Sequence, residues 1–172
     1  MEFSSFSTIV ASSAKVSEGK KVFYEVIFKG PKDDDADPVT QIGWAMEGFE
    51  SSDDYKGDGV GDCEYSYGYD GQRQCKWHDG SSEWGKQFDA EDGMVLGVAA
   101  DFAKGELMFG LNGDWKDPMG SAFTGIDTSV KLFPAITGSE VTLKLNFGYH
   151  DFKYGPPDSS FVALKDALLT LE

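Results

Sequence analysis

Hydrophobic and polar residues follow short, strand-like patterns along most of the chain. Apolar side chains recur at alternate positions from 141 to 147, which is typical of a strand with one buried face. The stretches 22–29 and 95–100 are almost continuously apolar, which predicts strands that are buried on both faces. Further segments rich in aromatic and β-branched residues, at 41–46, 65–69 and 107–111, predict additional strands.

Turn residues separate these segments and favour an antiparallel arrangement. The chain has 21 Gly and 6 Pro, so turns are expected to be many. Lys104-Gly105 predicts a hairpin turn, and Asn112-Gly113 is the strongest hairpin signal because both residue types tolerate a positive φ. We therefore expect an all-β fold, either an antiparallel β-sandwich or a barrel.

Helical spacing is found near the C-terminal end. Phe161, Leu164, Leu168 and Leu171 recur three or four residues apart, and one of two serines before them is expected to cap the helix. The predicted organisation is a β-sandwich over residues 1–158 and a C-terminal helical tail over residues 159–172. Ser159 and Ser160 are the two predicted capping residues.

The charge balance argues against several classes of partner. With 15 basic and 30 acidic residues, the formal net charge is −15, which repels nucleic-acid phosphates and anionic lipid headgroups. No apolar run approaches the roughly 20 residues that cross a bilayer, and no signal peptide is visible. We expect neither a nucleic-acid nor a membrane partner, no cofactor, and a monomer in the cytoplasm.

The cysteines and the chain ends add two expectations. Cys63 and Cys75 are too few for a disulfide scaffold or a four-ligand zinc site, so two free thiols in a reducing compartment are expected. The opening tripeptide Met1-Glu2-Phe3 and the closing dipeptide Leu171-Glu172 are common cloning-site sequences. They favour a domain cut from a longer protein.

No arrangement of residues typical of catalysis is visible. The chain has two histidines, His78 and His150, and neither lies in a local motif with a nucleophilic serine. His78 is expected to be a surface turn residue bonded to Asp79. The sequence therefore predicts a protein that is not an enzyme.

Two binding alternatives stay open. Seven acidic residues between positions 47 and 64, mixed with glycines, would suit calcium, although their spacing matches no helix-flanked calcium loop. They are Glu47, Glu50, Asp53, Asp54, Asp58, Asp62 and Glu64. Four tryptophans would suit stacking on a carbohydrate, although large rings also dominate small β cores. They are Trp44, Trp77, Trp84 and Trp115.

Successive motifs resemble those of SPRY domains. The segments 19–26 and 41–45 are similar to two early strands of that family, and 59–71 is similar to its central motif. The resemblance runs from about residue 7 to 158, with the motifs in the family's order. Later matching segments are 84–86, 104–106, 111–113, 132–135 and 146–148. The variant is similar to SPRY domains of ubiquitin-ligase, ryanodine-receptor and helicase-type proteins.

The resemblance implies a function and a site. SPRY domains are non-enzymatic modules that bind a peptide segment or a protein surface through loops at one end of a bent two-sheet sandwich. Carried over by position, three segments are expected to form the binding rim, with Tyr55 as its anchor. Their residues are Ser12, Ser13, Lys15, Asp54, Tyr55, Thr137, Gly138 and Ser139.

One departure from the family pattern bears on the partner. Many members have an arginine where this chain has Ala11, and that arginine bonds an acidic or carbonyl group of the partner. Without it, and with an acidic loop nearby, a basic or neutral protein or peptide is expected rather than an acidic one. The resemblance also implies one specific role, in which the domain acts as a substrate adaptor of a ubiquitin ligase.

Overall fold

Thirteen strands and one short helix form in residues 1–12, 19–33, 35–50, 59–127 and 129–167, the parts of the chain that the computed structural model describes. The strands are β1 (Glu2–Phe3), β2 (Ser7–Val10), β3 (Lys21–Pro31), β4 (Val39–Met46), β5 (Ser66–Asp70), β6 (Cys75–Trp77), β7 (Ser81–Glu83), β8 (Val95–Asp101), β9 (Glu106–Leu111), β10 (Gly120–Thr124), β11 (Leu132–Ser139), β12 (Val141–Asn146) and β13 (Val162–Ala163). The helix is α1 (Leu164–Ala167). Within these residues, no helix is long and apolar enough to cross a bilayer.

The strands form two sheets, which confirms the predicted β-sandwich. A seven-stranded sheet has the order β1-β12-β3-β8-β9-β10, with β13 paired to β3. A six-stranded sheet has the order β2-β11-β4-β5-β6-β7. All pairs are antiparallel except β13 with β3, which is parallel.

The core between the sheets is built around large rings. Trp44 on β4 is fully buried, and the ring of Tyr24 on β3 meets it edge-on with 5.3 Å between centroids. The Tyr24 hydroxyl donates to the Gly43 carbonyl at 2.7 Å, and burial raises the pKa of Tyr24 well above its ordinary value. The bond therefore ties one sheet to the other inside an apolar layer.

The central strand β3 is buried on both faces, as its continuous apolar pattern predicts. Its inner face joins the main core, whereas Phe23 on its outer face packs in a second cluster with Ala99 and Phe161. The segment after β12 supplies part of this cover, since Phe152 meets Phe23 with 4.6 Å between ring centroids. A layer of irregular chain thus covers the outside of the seven-stranded sheet.

The predicted Asn-Gly turn is confirmed. Asn112 and Gly113 have φ values of 50° and 81°, so both lie in the left-handed region. The Asn112 side chain also accepts a hydrogen bond from the Val95 N–H at 2.9 Å, which fixes the turn against the start of β8. The predicted turn at Lys104-Gly105 likewise joins β8 to β9.

The C-terminal part differs from the predicted pattern in two ways. Asn146 was expected on the solvent face of β12, but it is buried and bonds the backbone around His150. The helix begins at Leu164, so the predicted cap at Ser159 or Ser160 is wrong. Asp158 instead binds Ser160 in a local turn, and β13 precedes the helix. Leu168 and Leu171 lie outside the described residues.

The strand directions define two ends of the sandwich. At one end, which we call the rim, β2, β4 and β10 finish and β5 and β11 begin. At the other, which we call the far end, β3 and β11 finish and β4 and β12 begin. Because β4 is eight residues long, the two ends lie about 23 Å apart.

Candidate functional site

A cleft of about 410 Å³ opens at the rim, and we call it the rim cleft. Three chain segments form it: the residues that follow β4, those that precede β5 and those that precede β11. It is lined by Met46, Glu47, Glu64, Tyr65, Ser129, Val130 and Lys131. Connections at the end of a rigid sheet are where binding residues are most often found in proteins.

The ends of the sheet hold the cleft in shape. Met46 closes β4 and pairs with Leu132 of β11, which is fully buried. The Met46 N–H donates to the Tyr65 carbonyl at 2.8 Å, so the two chain segments on either side of the 47–64 connection are joined directly. The base of the cleft is therefore part of the hydrogen-bonded ladder.

Tyr65 is the most prominent side chain of the rim cleft. It is 43% exposed, and one edge of its ring rests on Gly48. A Cβ at Gly48 would lie 3.4 Å from the Tyr65 ring, and the backbone φ of 95° there also favours glycine. Among the described residues, the Tyr65 hydroxyl has no hydrogen-bond partner. An exposed aromatic ring with an available hydroxyl is a common anchor in protein interfaces.

The charge around the rim cleft is mainly negative. Glu47 and Glu64 line it on one side and Lys131 on the other. Asp127 lies just before this lining, and its carboxylate accepts hydrogen bonds from the Ser129 hydroxyl at 2.7 Å and N–H at 2.9 Å. Those bonds lower the pKa of Asp127. Carboxylates therefore outnumber cationic groups around the rim cleft.

Residues 59–62, near the end of the connection between β4 and β5, are hydrogen-bonded to the outer face of the six-stranded sheet. Asp62 accepts from Gln41 Nε2 at 2.6 Å and from the Gly59 N–H at 2.8 Å. The Val60 N–H donates to Thr137 Oγ1 at 2.9 Å. These bonds give Asp62 a structural role. No group of three or more His, Cys, Asp or Glu within the described ranges is arranged to hold a metal ion, and Asp53, Asp54 and Asp58 lie outside them.

The predicted rim residues divide into three groups. Ser12 lies at the rim, because the N–H of Ala11 before it donates to the Pro134 carbonyl near the start of β11. Ser13, Lys15, Asp54 and Tyr55 lie outside the described residues. The connections that contain them leave β2 and β4 at the rim.

The expectation of an exposed loop at Thr137, Gly138 and Ser139 is wrong. All three lie inside β11 and are buried, and Gly138 pairs with both neighbouring strands. A Cβ at Gly138 would lie 2.7 Å from the ring of Phe3, so the glycine is required for packing. Because β11 starts at the rim, these residues lie toward the far end, away from Ser12.

The tryptophans pack in separate places. Trp44 is in the main core, Trp84 meets Tyr69 edge-on there, and Trp115 lies in the second cluster. Trp77 is half-buried, with the Arg73 guanidinium 4.5 Å above its ring. This distribution does not form the shared stacking platform that the carbohydrate alternative needs.

His78 and the cysteines have local structural contacts. His78 is exposed in a turn, as predicted, but its Nδ1 is 2.9 Å from the Ser66 carbonyl oxygen rather than bonded to Asp79. Its ring stacks on Tyr67 with 4.0 Å between centroids. Cys63 and Cys75 are both free thiols, which confirms that prediction.

Tyr65 and Lys131 line the rim cleft but are not among the site residues predicted from the sequence. The alternation of Tyr65 with Tyr67 and Tyr69 predicts that Tyr65 belongs to the strand. In the structure, β5 begins one residue later. The usable signal was the charged neighbour Glu64 and the preceding glycines, which indicate that a connection continues up to Tyr65. Lys131 carried no local signal, because its place follows from the pairing of β11 with β4.

Comparison with known proteins gives two findings. A family model described as SPRY domain matches residues 21–150. Among curated proteins, the chain is similar to "E3 ubiquitin-protein ligase RKP" of Arabidopsis thaliana, with 35% identity over 133 residues. The aligned region covers 75% of this chain and 10% of that protein, so the chain spans about a tenth of this relative's length.

Proposed function

The chain belongs to the SPRY domain family, and from this we propose that it binds a segment of a protein partner in the rim cleft. SPRY domains are protein-interaction modules. The observation that carries the proposal is Tyr65, an exposed ring with an unpaired hydroxyl among the described residues, held over a cleft by backbone bonds. Such a ring supplies contact area and a hydrogen bond at a small cost in rotamer entropy.

We propose that this module acts without catalysis of its own. Catalysis would need a nucleophile or base positioned in a pocket with a polar partner. His78 has one ring nitrogen at the Ser66 carbonyl, and the Ser129 hydroxyl in the rim cleft donates to Asp127, whose lowered pKa makes this carboxylate a weak base. Recognition is the activity that these residues support.

The relative suggests a setting for this recognition. Its printed name is that of an E3 ubiquitin-protein ligase, and this chain aligns with about a tenth of it. We propose that the domain serves as a substrate adaptor of a larger ligase-type protein. The free thiols of Cys63 and Cys75 fit the reducing cytoplasm, and the net charge of −15 favours a monomer.

The proposed partner segment is basic or neutral. Glu47 and Glu64 line the rim cleft together with Lys131, and Asp127, which is bonded to the lining residue Ser129, adds negative charge beside it. Like charges across an interface disfavour an acidic segment. We retain Ser12, Ser13, Lys15, Asp54 and Tyr55 in the proposed site, since their connections leave the sheet at the rim. Thr137, Gly138 and Ser139 are not part of it.

The test selects peptides and then removes the anchor. Peptides are selected from a displayed random library against the folded domain, and their affinities are measured by calorimetry with the wild type and with Tyr65→Ala. We expect Tyr65→Ala to weaken binding at least about fivefold, which corresponds to about 1 kcal/mol.

The matched control is Tyr149→Ala, because Tyr149 is 71% exposed and is not among the residues that line the rim cleft. It is expected to leave the affinity unchanged. If both variants bind equally well, or if selected peptides lose affinity only in Tyr149→Ala, the rim cleft is not the site. Unchanged melting temperatures show that both variants remain folded.

A further inference from the structure

A second cleft, of about 400 Å³, opens at the far end of the sandwich. We call it the far-end cleft. It is formed by the β3–β4 connection, the turn after β5 and the segment before β8. It is lined by Pro31, Ala36, Asp37, Pro38, Gln72, Asp89, Ala90 and Glu91. Since the length of β4 separates it from the rim cleft, a short peptide in one cleft leaves the other open.

Every charged side chain that lines the far-end cleft is a carboxylate. Asp37, Asp89 and Glu91 are exposed, and their carboxylates have no ion pair or hydrogen bond within the described part of the chain. The nearby Lys29 forms an ion pair with a carboxylate outside the cleft lining, since its Nζ lies 3.7 Å from Asp92 Oδ1. A cleft with charge of one sign concentrates ligands of the opposite sign.

The walls between these carboxylates are apolar and stiff. Pro31 and Pro38 have a fixed φ, and Ala36 and Ala90 add small apolar surfaces. Such walls suit the aliphatic stem of lysine or arginine, which packs on apolar surface while the charged head reaches a carboxylate. A metal ion would need converging oxygen ligands, and the described residues contain no such group.

Gln72 contributes to one wall of the cleft. The turn that carries it is held by Asp70, whose carboxylate accepts from Arg73 Nε at 2.5 Å and from the Arg73 N–H at 2.9 Å. Gln72 Oε1 accepts from the Thr40 hydroxyl at 2.8 Å, whereas its Nε2 is buried with no acceptor in the described residues. Because this Nε2 has almost no accessible surface, Gln72 shapes the wall of the cleft and is not used as a donor to a ligand.

We propose that the far-end cleft binds a short basic segment of a protein partner. Lysine or arginine side chains of that segment lie along Pro31 and Pro38 and reach the three carboxylates. This surface is separate from the rim cleft and does not depend on the proposed function of the rim.

The test is a nuclear magnetic resonance titration with a defined probe. The probe is a seven-residue peptide, acetylated and amidated, in which arginine and lysine alternate with alanine. We expect the amide shifts to cluster at Ala36, Asp37 and Ala90, and the side-chain amide of Gln72 to move with them. Shifts that centre on Glu47 and Glu64 instead would contradict the far-end cleft.

Two triple variants with the same change in net charge separate a specific cleft from general attraction. Asp37→Asn, Asp89→Asn and Glu91→Gln together are expected to raise the Kd at least about fivefold. The matched control neutralises Asp79, Asp151 and Glu106, which lie outside the cleft lining, and is expected to stay within about twofold. Asp79 has a φ of 49°, a conformation that asparagine accepts readily.

Equal weakening in both triple variants would show that net charge alone attracts the peptide, which would overturn the proposal. The single variant Asp37→Lys provides an independent check, because Asp37 is exposed and its replacement leaves the core intact. Tyr65→Ala is expected to bind the basic probe as the wild type does. Failure of the rim proposal and failure of this one are therefore distinguishable.

Discussion

The buried carboxylate of Glu25 accepts the backbone N–H of Lys153, 128 residues further along the chain, at 2.8 Å. The same carboxylate accepts the N–H groups of Tyr154 at 2.9 Å and Gly155 at 3.2 Å. A single acidic side chain in the central strand thus holds the irregular layer that covers the seven-stranded sheet. Its place in an apolar strand is explained by these three donors.

Replacing this carboxylate weakens the fold. Glu25→Gln keeps the side-chain length, but the amide NH₂ then faces N–H groups that need an acceptor. We expect a loss of about 1–3 kcal/mol in the free energy of unfolding, measured by urea denaturation. Glu83→Gln changes an exposed glutamate on β7 and is expected to stay within about 0.5 kcal/mol. Equal effects would show that the three bonds do not stabilise the covering layer.

Trp44 and Trp77 are expected to differ in their effect on stability. Trp44 is fully buried in the main core, so Trp44→Ala is expected to cost about 3–5 kcal/mol. Trp77 is half-buried under the Arg73 guanidinium, so Trp77→Ala is expected to cost about 1–2 kcal/mol. Thermal and chemical denaturation measure both. A larger loss at Trp77 than at Trp44 would contradict this ranking.

Alanine substitution at Gly113 and at Gly125 separates two costs, the strain of a positive φ and the steric contact of an added Cβ. Gly113 has a φ of 81°, and an added Cβ would lie 2.9 Å from the Tyr154 Cβ. Gly125 has a φ of 72° with nothing within 4 Å, so Gly125→Ala carries the backbone strain alone. We expect Gly125→Ala to lower the free energy of unfolding by about 1 kcal/mol. Gly113→Ala is expected to lower it by at least about 1 kcal/mol more. Identical losses would show that Tyr154 moves aside freely.

The loop beside the rim cleft has a defined pH response. The Ser129 bonds lower the pKa of Asp127 below its ordinary value of 3.8, so the folded state favours its charged form. That contribution is present above pH 3.8 and is lost as the pH falls through the lowered native pKa. Ser129→Ala is expected to raise the pKa of Asp127 toward 3.8, followed by carboxyl carbon chemical shifts. The pKa of Asp158, lowered by its own bonds to Ser160, is the internal control.

Local patterns predicted the features of the fold that depend on neighbouring residues. Continuous apolar stretches identified β3 and β8, and Asn112-Gly113 identified a turn whose φ values are set by its own two residues. Glu25 shows the limit of this reasoning, because its three donors lie more than a hundred residues away. The parallel pairing of β13 with β3 is also a distant relationship that no local pattern contains.

The same limit explains the errors at the site. The resemblance implied a loop at Thr137, Gly138 and Ser139, but Thr137 bonds Thr8 at 2.6 Å and Gly138 is packed under Phe3. Both partners come from the first residues of the chain, so strand pairing decided the outcome. The role of Ser12 in binding stays a prediction, whereas Tyr65 became a candidate because the ends of β4 and β5 meet at the rim cleft.

The hydrogen bonds between Glu25 and residues 153–155 also limit where this domain can be truncated for expression. A fragment trimmed to the family match, 21–150, would keep the buried carboxylate and remove all three of its donors. It would also expose the edge of β11 that β2 covers and the part of β3 that β13 covers. Practical boundaries for a soluble fragment therefore lie outside the matched stretch, and they include β1 at one side and α1 at the other.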